Sequence, residues 1–313
     1  MPPARALIDR PWRVVRRVPL HYRGGGDPTH DRPAHVRAAS ALTRWRDGLA
    51  VVSDDASFVA TVDVTTGTCD PIALPAGPDG RRQFDRERGN KADKLDLEAC
   101  FELDGALVAL GSDSGLAVRR QAAIVDDAGP RLVELPALYA ALATPALGAG
   151  VLNLEGAAVD GDALVLGNRG GDRSGGGAPT VDALARIALT ELRAALCAPT
   201  APRGSVTWRP LALGDLDGAP LHLTELEAWP GGLALAATAE ATTTAYDDGV
   251  VTGSVLGGLD ADGAWWSPVI ELDGARLVAK LEGLAWWRGR WFATVDADDP
   301  DRPSELLELA PPA

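Results

Sequence analysis

Three glutamates recur in matching surroundings. Glu98 stands in LDLEAC, Glu155 in LNLEGA and Glu282 in AKLEGL. With Ser40 and Thr224 they mark equivalent points in five copies of one pattern, spaced 58, 57, 69 and 58 residues apart. Each copy is an apolar strand, a tight Gly or Asp turn, and a second apolar strand ending in small or polar residues, which is the signature of a hairpin. Carboxylates that a fold brings together repel. They must be solvated, protonated, paired with cations or bound to a metal. Such a cluster can supply a general acid and base or the oxygen ligands that calcium and magnesium prefer.

Candidate cations stand close by. The chain has 30 basic residues but only three lysines, Lys91, Lys94 and Lys280. Lys94 and Lys280 precede Glu98 and Glu282, where a compact ammonium suits a crowded channel better than a planar guanidinium. His35, Arg37 and His222 take comparable places in copies one and four. The second strands end near Asp54, Asp113, Asn168 with Arg169, and Asp296, which reach the same end as the glutamates if the hairpin turn lies at the other. The candidate catalytic residues are therefore Glu98, Glu155 and Glu282. Lys94, Lys280, Asn168, Arg169, Asp113 and Ser40 are candidate ligand-binding residues. Glu98, Glu155, Glu282 and Asp296 are candidate ligands for calcium or magnesium. The plainer account, solvated charges at strand starts and a water-filled channel, competes with each.

These residues need an architecture to position them. Two further strand-like runs separate successive hairpins, giving four strands per repeat, as in a propeller blade. The last copy has room for three strands, and PWRVVRRVPLHY near the N-terminus would supply the fourth, closing the ring and removing open sheet edges. The expectation is one all-β domain over residues 1–313, a five-bladed β-propeller of four-stranded blades, with six blades as the alternative. The third repeat carries GNRGGDRSGGG, read as a flap over the channel mouth, and a short helix near Thr190–Cys197. Trp229, Trp286 and Trp287 fall at the ends of inner strands, as packing between blades or as a platform for a sugar.

Composition bounds the partners. A net charge of −14 repels phosphate backbones and anionic lipid, so neither nucleic acid nor a membrane surface is expected. No apolar run approaches the roughly 20 residues of a membrane span. The N-terminus lacks an apolar signal region, and a cytoplasmic location is expected. Cys69, Cys100 and Cys197 are too few and too scattered for a disulfide framework or metal cluster and read as small buried filler. No nucleophile elbow or HExxH motif occurs.

The segments LNLEGAAVDGDALVLGNRGG, LDLEACFELDGALVALGSDSG and KLEGLAWWRGRWFATVDADD resemble those of uncharacterised bacterial propeller families. The last also resembles the closing blade of the SdiA-regulated and phytase-esterase-like propellers. The resemblance covers repeats two, three and five. It implies a propeller with Glu98, Glu155 and Glu282 lining a pocket, and no settled reaction. Ser112 and Asp113 depart from the Ser-His pair of those relatives, and copy four lacks the glutamate. The functional expectation is a carboxylate-lined central pocket binding a small ligand or a protein partner. The alternatives are a metal-dependent hydrolase of a small ester, lactone or phosphoester, and a glycosidase using two carboxylates.

Overall fold

The computed structural model describes residues 5–6, 10–144, 147, 152–171, 180–241, 250–260 and 263–312. Five sheets follow one another along the chain, antiparallel apart from a short parallel pairing in three of them. Their innermost strands are Ala39–Trp45, Leu97–Leu103, Leu154–Asp160, Ala219–Trp229 and Lys280–Trp287, hereafter the inner strands of blades 1 to 5. Each inner strand contacts the next, and the fifth contacts the first, so they form a closed ring. Each turns back through a hairpin into the second strand, which runs between two neighbours and is largely buried, as in Leu107–Leu110 and Leu164–Leu166.

Burial follows the same five-fold order. Five apolar clusters fill the five interfaces, blade 1 against 2, 2 against 3, 3 against 4, 4 against 5, and 5 against 1. Alternation along a strand sends successive side chains to opposite faces, so each blade feeds both of its neighbours. The N-terminal strand Arg13–Pro19 pairs antiparallel with the last strand, Glu305–Ala310, as the fourth strand of blade 5. That is the five-bladed arrangement read from the repeat spacing, not the six-bladed one.

Two details differ from the sequence reading. The second of the two strand-like runs between the hairpins of blades 2 and 3 is a strand, Gly129–Glu134, that passes into a helix, Pro136–Leu142; Pro136 sits at the helix start, where its missing N–H costs nothing. Cys69 and Cys100 are buried filler, but Cys197 is exposed at the end of the helix Leu189–Cys197. No helix among the described residues is long and apolar enough to cross a membrane.

Candidate functional site

The five aligned positions share a local geometry. In every inner strand the pairing register slips at that residue: at Ser40, Glu98, Glu155, Thr224 and Glu282. A bulge leaves one residue unpaired and re-aims its side chain. The five bulges stand at one end of the inner strands, so the same end of the ring receives all five side chains. The residues two places earlier share their face: Asp96, Asn153, His222 and Lys280. The second strands return to this end at Asp54, Ser112, Asn168, Arg169, Glu240 and Asp296. Asp54, Glu98, Asn153, Arg169, His222, Lys280 and Asp296 are partly exposed, and together they form a polar mouth.

Two ion-pair groups fill it. In the first, the Lys94 ammonium bonds Asp54 and Asp96, at 2.5 Å from Asp96 Oδ1. Arg119 meets the other Asp96 oxygen at 2.8 Å, and the Ser112 hydroxyl donates to it. Burial works against charge on Asp96, but Lys94 and Arg119 outweigh it and hold the carboxyl below its usual range. Oxygens of Asp54, Asp96 and Glu98 lie within 4.8 Å of one another, close enough to share a metal ion. Glu98 is pushed well above the usual range by burial and by Glu155, Asp54 and Asp96, with Lys94 opposing.

In the second group, Lys280 Nζ lies 2.5 Å from Glu282 and 4.0 Å from Glu240. Arg169 bonds Glu240 at 2.7 Å and approaches Glu155 at 3.5 Å. The Asn153 amide donates to Glu155 at 2.8 Å. Burial and the nearby Glu155 push Glu282 up to about 8, against the pull of Lys280. Burial also raises Glu155, against Arg169 and Lys280. Beside this group Asp182 accepts from the Gly170 and Leu223 N–H groups and holds His222 Nδ1 at 2.9 Å.

The sequence candidates divide accordingly. Glu98, Glu155, Glu282, Lys94, Lys280 and Arg169 meet at the mouth. The partners of Lys94 are Asp54 and Asp96, not the adjacent Glu98. Of the four residues expected to bind a metal, only Glu98 belongs to the close carboxylate group. Asp296 instead accepts from Ser304 at 2.9 Å, and burial raises its carboxyl. Ser40 donates to the Leu97 carbonyl of the next blade, Asn168 is fully buried on the Asn153 and Val181 backbone, and Asp113 pairs with Arg120 at 2.8 Å. Most of the Gly-rich stretch read as a flap, residues 172–177, lies outside the described residues. Trp229, Trp286 and Trp287 stand at the opposite end of the inner strands from the carboxylates, so they frame no sugar platform there. Asp96, Glu240 and Asp182 were not singled out from the sequence. Asp96 was legible, since strand alternation puts it on the face of Glu98.

A second acid set lies deeper. One residue past the bulge the five blades carry Ala41, Ala99, Gly156, Glu225 and Gly283. Glu225 is 1% exposed. Its Oε1 accepts from the Leu226 N–H at 2.9 Å and its Oε2 is buried without a hydrogen-bond partner; the N–H groups of Leu42 in blade 1 and Ala157 in blade 3 favour its charged form, so it stands where blades 1, 3 and 4 meet. A Cβ at Gly156 would stand 2.8 Å from Leu226 N and 3.0 Å from that carboxyl, which is why this place is glycine. Burial pushes Glu225 well above the usual range. Burial also carries Glu227 to about 7, although its Oε1 takes the Trp286 N–H at 3.0 Å and Arg44 approaches at 3.4 Å.

Among solved structures, the chain is similar to Myxococcus xanthus glutaminyl cyclase at 13% identity, over 96% of this chain and 98% of that one, with a TM-score of 0.46. A putative glycoside hydrolase from Parabacteroides distasonis matches at 13% identity over 92% of each chain, TM-score 0.48. A glycosyl hydrolase from Bacteroides ovatus matches at 12% over 89% and 85%, TM-score 0.43. Likeness at this level says nothing about activity. No curated protein matches the chain. The sequence pattern of a family of unknown function, DUF6929, matches residues 35–310, and the chain belongs to that family.

Proposed function

We propose that the mouth binds a small molecule presenting a positively charged amine or guanidine, seated against Glu98 and the free oxygens around it. The observation that carries this reading is the half-buried Glu98. It adjoins Asp54 and Asp96, yet Lys94 is bonded to those two and not to Glu98. Asp54 Oδ1 and Glu282 Oε2 are buried without a hydrogen-bond partner. Burial and the neighbouring carboxyl groups favour a proton on Glu98, and a ligand's cation would take its place. The chain's net charge of −14 draws cations toward it.

A divalent ion, calcium or magnesium, is the competing occupant. The 4.8 Å grouping of Asp54, Asp96 and Glu98 favours it. Such an ion would displace the Lys94 ammonium, and esters, lactones or phosphoesters would then be the substrates to screen. Thermal shift with small amines, guanidines, calcium and magnesium separates the two. The proposal expects one of the cationic organic compounds to raise Tm by a few degrees in the wild type and not in Glu98→Gln. No shift with any of them overturns it. A shift with the ions alone, lost in Asp96→Asn, transfers the site to a metal.

A further inference from the structure

Of the 4 histidines, His21, His30 and His35 fall in one short stretch that leads from the N-terminal strand into blade 1. The chain turns back within it, and His21 and His35 stand directly opposite each other as an antiparallel pair. The Tyr22 N–H donates to the Ala34 carbonyl and the Val36 N–H to the Leu20 carbonyl, both at 3.0 Å. These bonds flank the two histidines, so theirs is the non-hydrogen-bonded kind of pair, in which facing side chains stand closest. The backbone beneath them is fixed. Leu20, Tyr22 and Val36 are buried. The backbone of Ser304, at the edge of the last strand of blade 5, accepts from the Leu20 N–H and donates to the Val36 carbonyl, at 2.9 Å each. The pair therefore sits on the seam where blades 5 and 1 meet.

The rings are poised for a metal. Their centroids are 6.3 Å apart at an interplanar angle of 80°. Two imidazoles on one zinc ion, with Zn–N bonds of about 2.0–2.1 Å, put their ring centres roughly 5–6 Å apart. A small rotation of His21, which is exposed, brings the pair into that range. His35 is fixed in the fitting tautomer. Its Nε2 lies 3.1 Å from the Pro300 carbonyl. A carbonyl only accepts, so Nε2 carries the proton and Nδ1 of the neutral ring keeps its lone pair. A histidine that gives its other N–H to a carbonyl is the usual form of a metal ligand. His30 does not join the pair, since its Nδ1 is held by Asp27 at 2.7 Å. Nearby charge does not oppose a cation either: Arg37 is met by Asp55 and Asp85, and the loop that carries Pro300 adds the exposed Asp301.

We propose that His21 and His35 bind a zinc ion, with water in its remaining positions, as a clip across the seam between blades 5 and 1. Imidazole suits zinc better than calcium or magnesium, so this site is separate from the carboxylates of the mouth and does not depend on what they bind. Calorimetric titration of the full, EDTA-treated chain with zinc chloride tests it. One zinc ion per chain is expected at the pair, with a Tm that rises with zinc concentration. Affinity should fall about tenfold or more in His21→Ala and in His35→Ala, and stay at the wild-type value in His30→Ala and Asp96→Asn. If His35→Ala fails to fold for want of the Pro300 bond, His21→Ala, at an exposed position, decides alone. Absence of zinc binding overturns the proposal. So does wild-type affinity in the folded histidine variants, or a loss in His30→Ala or Asp96→Asn as large as that in His21→Ala.

Discussion

The bulge glutamates and the deep glutamates come from the same inner strands, yet they meet burial in different ways. Glu155 and Glu282 lie among Lys280 and Arg169, and the neighbouring Asp54 and Asp96 share Lys94. Glu225 and Glu227, one and three residues past the bulge of blade 4, are instead held chiefly by backbone N–H groups. The first arrangement sets carboxyl groups against cations close to solvent; both leave single oxygens unmet, Glu282 Oε2 in the first and Glu225 Oε2 in the second. The second uses a carboxyl as a tie between strands. An acidic residue in this ring therefore has no fixed role. Its depth along the strand decides whether it faces cations at the mouth or fastens the inner strands together.

The largest effect should come from taking a cation out of the first set. Lys94→Met strands Asp54 and faces Asp96 with Arg119 alone, and removal of one partner from a buried pair costs roughly 3–5 kcal/mol. Urea unfolding at pH 7 measures it, and Lys94→Met/Asp54→Asn should recover part of the loss. An unchanged midpoint would mean that the mouth carries no ionic tension.

Next comes pH. The folded Glu227 carboxyl sits at about 7 against an ordinary value of 4.5. Between these values the folded state binds the proton and the unfolded state does not, so stability falls as pH rises through that window and is level outside it. The shift corresponds to on the order of 3 kcal/mol. Asp55 and Glu282, raised to about 7 and about 8, tilt the curve the same way. The difference between wild type and Glu227→Gln isolates the one group: the variant should lose that share of the slope between pH 4.5 and 7. Parallel curves would deny that Glu227 is buried as a neutral acid.

The smallest effect separates tie from charge. Glu225→Ala leaves inner-strand N–H groups unmet and should cost about 2 kcal/mol, whereas Glu225→Gln keeps an acceptor and should cost less than about 1 kcal/mol. Equal losses in thermal or urea melts would show that the carboxyl's charge, not its hydrogen bonding, matters at that depth.

Much of this was legible in the chain. The spacing of the five aligned copies gave the blade number, and the aligned residues fall on the five bulges. Lys94 and Lys280 could be matched to carboxylates because lysine is so rare here. Their partners were less legible. Lys94 meets Asp54 from another blade, a pairing set by ring closure and not by sequence distance. Glu240 escaped notice because the place in blade 4 aligned with Asp54 and Asp296 is Thr238; the second strand there runs on to Ala241, and Glu240 follows two residues later on the same face. The burial of Glu225 where blades 1, 3 and 4 meet is set by the closed ring, which no local pattern encodes.

The pairing of Arg13–Pro19 with Glu305–Ala310 has a consequence for how the protein is made. On the ribosome the first of these strands emerges early, but the strand it pairs with along its length is made only after four blades. Blade 5 is then completed late, from two segments far apart in the chain. A nascent chain halted before Glu305 would hold four blades and leave Arg13–Pro19 without its main partner. Linking these two segments and opening the chain between two other blades would make the paired strands of blade 5 adjacent in the order of synthesis.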